Sequence, residues 1–268
     1  MADRSSSFEA VVLRVRESPA GDRIVSLLCD EDGVLDAFAF GGPKSKLRSL
    51  AAPWHAGRAW VYRDSARGLT KLTDFDAQYD FAAIRESLST IGAASLAGEL
   101  IMATSALGGD GADARALFMD LLAALCSSPN GDPGLTAARD DAARAARSDR
   151  ALTQFCLRAV SLMGVMPDPA ECGSCAGQIF PDTVHSYSRR AGAFLCRRCA
   201  GEEHVSGALV AIPPGALAWL AATLSQPFGT AMRSGLSDGA LSAIKACALD
   251  LAGKAAHGRL KTLDSGLV

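Results

Sequence analysis

The 268-residue sequence predicts a multidomain chain, β first and then α: a small N-terminal β-barrel followed by an all-α domain that carries an inserted four-cysteine element. Three observations predict it. Short apolar runs with turn punctuation fill the first eighty residues, Ala- and Leu-rich stretches with helical spacing fill most of the rest, and two Cys-x2-Cys pairs interrupt the helical part. Strands followed by helices, rather than alternating with them, argue for separate domains, here residues 1–80 and 81–268, with the cysteine insert at 168–204.

The strands come first. Phe8 to Arg16 contains Val11, Val12, Leu13 and Val15; Ile24 to Cys29 is apolar; the turn Asp30-Glu31-Asp32-Gly33 leads into a third run, Val34 to Phe40. Gly41-Gly42-Pro43 breaks that run, and Ala59 to Tyr62 with Leu69 to Leu72 reads as a further hairpin across Asp64 to Gly68. About five short strands in about eighty residues suit a small closed barrel, of which the OB-fold is one commonly used for nucleic acid.

From Phe81 the spacing predicts helices near 82–107, 112–126, 135–163, 214–225 and 236–257, separated by Gly108 to Gly111, Ser127 to Gly134 and Met166 to Pro169. The uncharged stretch Val205 to Met232 is broken by Pro213, Pro214, Gly215 and Pro227, so it predicts buried structure rather than a membrane span. With 49% apolar residues the chain can fill a real core. Met1 to Ala10 has no apolar h-region, so nothing there reads as a secretory leader and a cytoplasmic protein is expected. Cysteines in a reducing compartment are metal ligands or small buried hydrophobes, and Cys29, Cys126, Cys156 and Cys247 sit in apolar contexts of the second kind.

Cys172, Cys175, Cys196 and Cys199 form two Cys-x2-Cys pairs twenty residues apart, and each pair is short enough for two thiolates to reach one tetrahedral ion. The expected ion is one structural Zn2+. Four thiolates fill its shell and leave no position for an activated water, which disfavours a catalytic zinc; redox pairs or merely buried cysteines are the alternative reading. Gly173 and Gly201 are expected to loosen the two turns, and His185 and His204 are surplus. Arg189 and Arg190 lie between the pairs and Arg197 and Arg198 between the last two ligands, giving a basic loop that either contacts phosphate or is simply solvated.

Net charge is −2, so the total does not announce a nucleic-acid binder; the distribution says more. Between Phe40 and Leu72, Lys44, Lys46, Arg48, Arg58, Arg63, Arg67 and Lys71 face one acid, Asp64, while Asp30, Glu31, Asp32 and Asp36 cluster elsewhere. Lys44, Lys46 and Arg48 can neutralise phosphates, and Trp54, Trp60 and Tyr62 are either stacking faces or barrel core. The glycine loop fails as a P-loop because Pro43 precedes Lys44, and no nucleophile elbow, His-Glu-x-x-His helix or dinucleotide fingerprint is present. The adjacent acids Asp140-Asp141 and Glu202-Glu203 read as solvated surface. No enzyme is indicated.

Several strings, in order and spacing, resemble the RecO family of bacterial recombination mediators. They are Glu9-Ala-Val-Val-Leu-Arg-Val-Arg, Gly21-Asp-Arg-Ile-Val-Ser-Leu-Leu, Asp32-Gly-Val-Leu, Gly41-Gly-Pro-Lys-Ser-Lys-Leu, Gly68-Leu-Thr-Lys-Leu-Thr, Glu99-Leu, and Phe155-Cys-Leu-Arg-Ala-Val-Ser-Leu-Met-Gly leading to Pro167 and the first cysteine pair. The resemblance implies an OB-fold, a helical domain with a zinc element, and a non-enzymatic role in recombination repair. It implies binding and annealing of single- and double-stranded DNA, contact with the tail of single-strand-binding protein, and work with RecR to load RecA. The DNA contacts expected from the basic segment and the zinc loop are Lys44, Lys46, Arg48, Arg58, Trp60, Tyr62, Arg63, Arg189 and Arg190. A protein-interaction scaffold with weak DNA binding is the second reading, motivated by the net negative charge.

Overall fold

The computed structural model describes residues 4–18, 21–41, 45–109, 111–127, 137–180, 182–203, 207–256 and 258–268, with the backbone alone for 137–140. The basic-loop residue Lys44 and the surplus His204 lie outside the described residues.

Strands β1 (Ser5–Glu17), β2 (Arg23–Cys29), β3 (Gly33–Ala39), β4 (Ala56–Asp64) and β5 (Leu69–Tyr79) close into a barrel in the order β1-β2-β3-β5-β4, with the short helix α1 (Leu47–Leu50) between β3 and β4. Neighbours are antiparallel except β3 and β5, which meet in parallel at Phe38 and Lys71. Register shifts at Val12/Arg14 and at Trp60/Val61 are bulges, which bend a strand and let a small sheet curl onto itself. The interior is built from small and medium side chains: Ala10, Val12, Val25, Leu27, Cys29, Ala37, Ala39, Ala59, Val61, Leu72 and Phe75. Five strands enclose little space, and the alanines fit that limit. Cys29, inside this core, has its thiol pushed up to about 11 by burial.

The runs Val11-Val12-Leu13 and Leu27-Leu28-Cys29 are apolar without alternation because both faces of the wall are covered there. Val12, Leu27 and Cys29 point inward, while Val11, Leu13, Leu28 and Ala56 join the core of the helical part. A 3-10 turn (Ala82–Glu86) precedes α2 (Leu88–Ala103), α3 (Gly111–Cys126) and α4 (Ala137–Leu162), and α4 packs on α2, α3 and α8 (Asp238–Ala255). Ser87 starts α2 by accepting the Ser89 N–H, and Ser237 starts α8 by accepting that of Ala240.

The helix expected over 82–107 is therefore shorter at both ends. The Ser87 cap separates it from the 3-10 turn, and Ser105, Ala106 and Leu107 adopt left-handed backbone, with the Ala106 N–H donated to Ile101 O at 3.0 Å. Ala106 and Leu107 are buried, and that burial holds a conformation their residue types do not favour. The C-terminal half of α4 is buried all round through Leu152, Phe155, Cys156, Leu157, Ala159 and Val160. Burial pushes the thiols of Cys156 and Cys247 up to about 12, so both behave as small hydrophobes, whereas Cys126 is only half-buried.

Strands β6 (His185–Ser188) and β7 (Ala193–Leu195) form a hairpin that runs into α5 (Arg197–Gly201), and β8 (Leu209–Ile212) pairs with β6 to complete a three-stranded sheet. Helices α6 (Ala216–Leu224), α7 (Phe228–Ala231) and α9 (Lys261–Asp264) finish the chain. Among the described residues no helix is long and apolar enough to cross a membrane.

Barrel and helices meet closely where α3 begins. A Cβ on Gly111 would lie 2.3 Å from Cys29 O and 2.5 Å from Asp30 O. Arg115, one turn later, makes a bidentate pair with Asp30, its Nε 2.6 Å from Oδ1 and its Nη2 3.0 Å from Oδ2. That hydrogen bond, against partial desolvation, holds the Asp30 carboxyl below its ordinary range. Gly111→Ala is expected to cost about 1–3 kcal/mol by overpacking against backbone that cannot retreat. Gly239→Ala in α8, where the added Cβ meets nothing within 4 Å, is expected to be neutral or slightly stabilising. Urea unfolding checks both, and equal stability of the two variants would contradict the close approach.

Candidate metal site and nucleic-acid interface

The chain folds the two cysteine pairs onto one point. Cys172 opens a tight turn in which its N–H bonds Gly177 O at 2.9 Å and its carbonyl accepts the Ala176 N–H at 2.8 Å. Cys196 caps the start of α5 and Cys199 lies one turn inside it. The four Sγ atoms lie within 4.8 Å of one another, with Cys175 and Cys196 at 3.9 Å. A tetrahedral tetrathiolate with bonds of ~2.3 Å has sulfur edges of about 3.8 Å, so these residues could hold one metal ion.

Burial opposes ionisation of Cys172, but the N–H groups of Cys196, Ser174 and Cys175 outweigh it and bring the thiol down to about 6. Cys175 is lowered chiefly by the Gly177 N–H. Cys199 goes the other way, to about 11: a hydrogen bond from Ser174 favours its thiolate, but desolvation and the three neighbouring cysteines prevail. Sulfurs this close cannot all carry charge unless a cation sits among them. The exposed Arg198 adds a positive group in hydrogen-bond contact with Cys175 and Cys199.

Gly173 serves this turn differently from the expectation. It does not adopt a positive φ; instead a Cβ there would lie 2.4 Å from that of Ala193, so glycine is needed for close packing of the first cysteine turn on the hairpin. Gly201 has open space and ordinary backbone. His185 stands apart from the sulfurs and bonds Phe180 O and Thr183 Oγ1 within its own loop.

The hairpin is anchored to α8. Tyr187 and Phe194 are fully buried in an edge-to-face pair, and the Tyr187 hydroxyl donates to Asp250 at 2.7 Å while Lys254 bridges Asp250 and the Arg189 carbonyl. Arg189 and Arg190 occupy the exposed hairpin tip, but Arg190 pairs with Glu203 at 3.2 Å. Glu203 is not solvated surface, as its sequence neighbourhood suggested: its side chain is 6% exposed and also accepts from Ser188 Oγ.

On the barrel, the register separates the expected DNA contacts by face. Arg58, Trp60 and Tyr62 alternate with the inward Ala59 and Val61 and therefore share the outer face of β4, where Trp60 is 36% exposed. Across the strand neighbours this face is acidic: Glu9 opposes Arg58 on β1, and Asp76 and Asp74 oppose Arg58 and Trp60 on β5. Arg58 bonds Glu9 at 3.0 Å, Arg48 lies 3.7 Å from Glu17, and Arg63 forks onto both carboxylate oxygens of Asp32. Tyr62 accepts a hydrogen bond from Arg4, and Trp54 is half-buried against the helical core. Three of the seven cations along 40–72 are thus paired with acids distant in sequence.

A second outer face keeps part of its charge, although Arg16 there pairs with Asp36 at 2.8 Å. Phe38 and Phe40 stack at 5.9 Å and 13°, Phe40 is 37% exposed, and the exposed Lys71 sits 5.6 Å above its ring. Lys46 is exposed beyond the end of β3, and Arg14 projects from β1; neither is in an ion pair among the described residues. Phe38 and Phe40 escaped the sequence reading because Val34 to Phe40 registered only as an apolar strand; the alternation with Ala37 and Ala39 was the available signal.

Comparison with known proteins covers both parts of the fold. The family model described as Recombination protein O N terminal matches residues 1–79, and the one described as Recombination protein O C terminal matches residues 141–247. A DNA repair protein RecO of Pelotomaculum thermopropionicum is 30% identical over 193 residues, 71% of this chain and 67% of that protein. One of Myxococcus xanthus is 30% identical over 215 residues, 80% and 79% of the two chains, and one of Symbiobacterium thermophilum is 26% identical over 199 residues, 73% and 72%.

Elemental analysis of the purified chain is expected to find one divalent ion per molecule, and Cys172→Ser to lose it together with hydrogen-exchange protection of the 185–195 hairpin. A metal-free chain with that hairpin fully protected would contradict the site.

Proposed function

The chain belongs to the RecO family, which ties it to DNA repair, and from that premise we propose that it is a non-enzymatic DNA-binding recombination mediator. In this reading residues 1–80 are an OB-fold DNA-binding domain and 81–268 a helical domain with a zinc-binding insert at 168–204. The protein binds and anneals DNA, contacts the tail of single-strand-binding protein, and with RecR helps load RecA onto coated strands. It works in the cytoplasm at the nucleoid.

The observation that carries the DNA reading is the stacked Phe38–Phe40 pair beneath Lys71 on the outer β3–β5 surface. Aromatic faces on an open barrel wall stack unpaired bases, and nearby cations follow the backbone. The barrel's strand order and the position of this pair on the β2–β3 side suit an OB-fold. Cys172, Cys175, Cys196 and Cys199 hold one structural Zn2+, because four thiolates in tetrahedral reach favour that ion and saturate it. It braces the hairpin that carries Arg189 and Arg190.

The second reading, an interaction scaffold with weak DNA binding, draws support from the internal pairing of Arg48, Arg58, Arg63 and Arg190. Salt titration separates the two. Single-stranded DNA should bind at low salt, and Lys46→Gln with Lys71→Gln should lower the slope of log K against log salt by about 1.4, roughly 0.7 for each phosphate contact. Phe40→Ala should cost about 1–3 kcal/mol of affinity, while Arg58→Gln should change little. No binding at low salt, alone or with RecR, would favour the scaffold.

A further inference from the structure

A cleft of about 480 Å³ lies at the seam where β1 of the barrel meets α2 and the C-terminal segment. Four parts of the chain that are far apart in sequence converge on it: Arg14 from β1, Trp54 from the segment before β4, Arg85 from the 3-10 turn, and Lys261 at the start of α9. None of the three cations is in an ion pair among the described residues. The one carboxylate in the lining, Glu99, has both oxygens engaged by the N–H groups of Lys261 and Thr262, at 2.7 and 2.9 Å.

Trp54 is held in an unusual way. Its φ is +68°, a left-handed backbone that costs a bulky residue on the order of 1–3 kcal/mol and persists only where surrounding contacts impose it. Here the Trp54 N–H donates to Val12 O at 2.7 Å, and Arg85 reaches over the indole at 5.4 Å while bonding the carbonyls of Pro53 and Asp80. The result is a rigid, half-exposed aromatic ring beside three cations without carboxylate partners. An aromatic face with adjacent free cations is the chemistry that takes an unpaired base and its phosphates.

The cleft also adjoins the aromatic face of the barrel. Arg14 and Arg16 are successive outward residues on β1, Arg16 pairs across β2 through Ile24 with Phe38, and Phe38 pairs with Lys71. A strand lying along that row reaches the seam by passing Arg14.

We propose that this seam cleft takes a nucleotide of single-stranded DNA continuing off the barrel face, with its base against Trp54 and its phosphates on Arg14, Lys261 and the free donors of Arg85. The inference rests on the DNA-binding reading above. Two measurements on the full chain test it. Arg14→Gln with Lys261→Gln should lower the salt slope for single-stranded DNA by about 1.4. Irradiation of a complex with a 5-iododeoxyuridine-substituted oligonucleotide should cross-link the peptide containing Trp54. Trp54→Gly relieves the left-handed backbone but removes the indole's packing on the helical core, so its urea unfolding is compared with wild type; folded Trp54→Gly should bind single strands more weakly and duplex equally well.

If the wild-type chain binds no DNA, the reading of the whole protein fails and takes the cleft with it. If it binds, and Lys46→Gln with Lys71→Gln lowers the slope while the Arg14 and Lys261 changes and Trp54→Gly alter nothing, the cleft alone is refuted.

Discussion

The wall of the barrel is apolar on both sides where β1 and β2 meet the helices, and the rest of the molecule is arranged to cover it. Val11, Leu13, Leu28 and Ala56 point away from the barrel interior into a core that continues through α2, α3, α4 and α8 to Tyr187, Phe194 and the buried cysteines Cys172 and Cys199. Left in water, such a wall would forfeit roughly 1.5–3 kcal/mol for each Val or Leu side chain. Covering it requires a helix end against the β2–β3 turn, which only a glycine at 111 permits, and the Arg115–Asp30 fork fixes the orientation of that contact. The seam is therefore part of the hydrophobic core rather than a hinge between independent modules.

The same arrangement decides which charges are free. Docking the helices consumes the outer surface of β1 as far as Leu13, so the open wall begins at Arg14, passes the Arg16–Asp36 pair and continues over β3 to Phe40 and Lys71. Barrel closure brings the acidic β2–β3 turn to the end of β4, where Asp32 takes Arg63, and sets Glu9 against Arg58. Exposed pairs of this kind add little stability, commonly under about 1 kcal/mol, but they remove cations from the pool available to phosphate. A chain of net charge −2 can in this way keep a locally basic, aromatic wall while its β4 face is neutralised by acids.

Features that depend on neighbours in sequence were legible without coordinates. The two cysteine pairs needed only a turn each, and their spacing was enough to bring four sulfurs together. The strand runs and the long helices followed from apolar periodicity. Features set by pairing across the fold were not legible. Asp32 and Arg63 are 31 residues apart, and their union depends on how the barrel closes. Glu203 looked like solvated surface because its partners, Ser188 and Arg190, come from the hairpin before it. Phe38 and Phe40 were hidden inside an apolar run because an exposed aromatic and a core aromatic leave the same mark in composition. The three left-handed residues after α2 carry no glycine to announce them.

The central claim is that the outer β1–β3–β5 wall, and not the β4 face or the four-cysteine hairpin, receives DNA. Hydrogen exchange of the full chain with and without a saturating single strand tests it most directly. The account predicts slowed exchange at residues 14–16, 36–41 and 69–72, with little change at 58–62 and 189–190. Slowing confined to the 189–190 hairpin tip or to the β4 face, with the β3 segment unchanged, would contradict it.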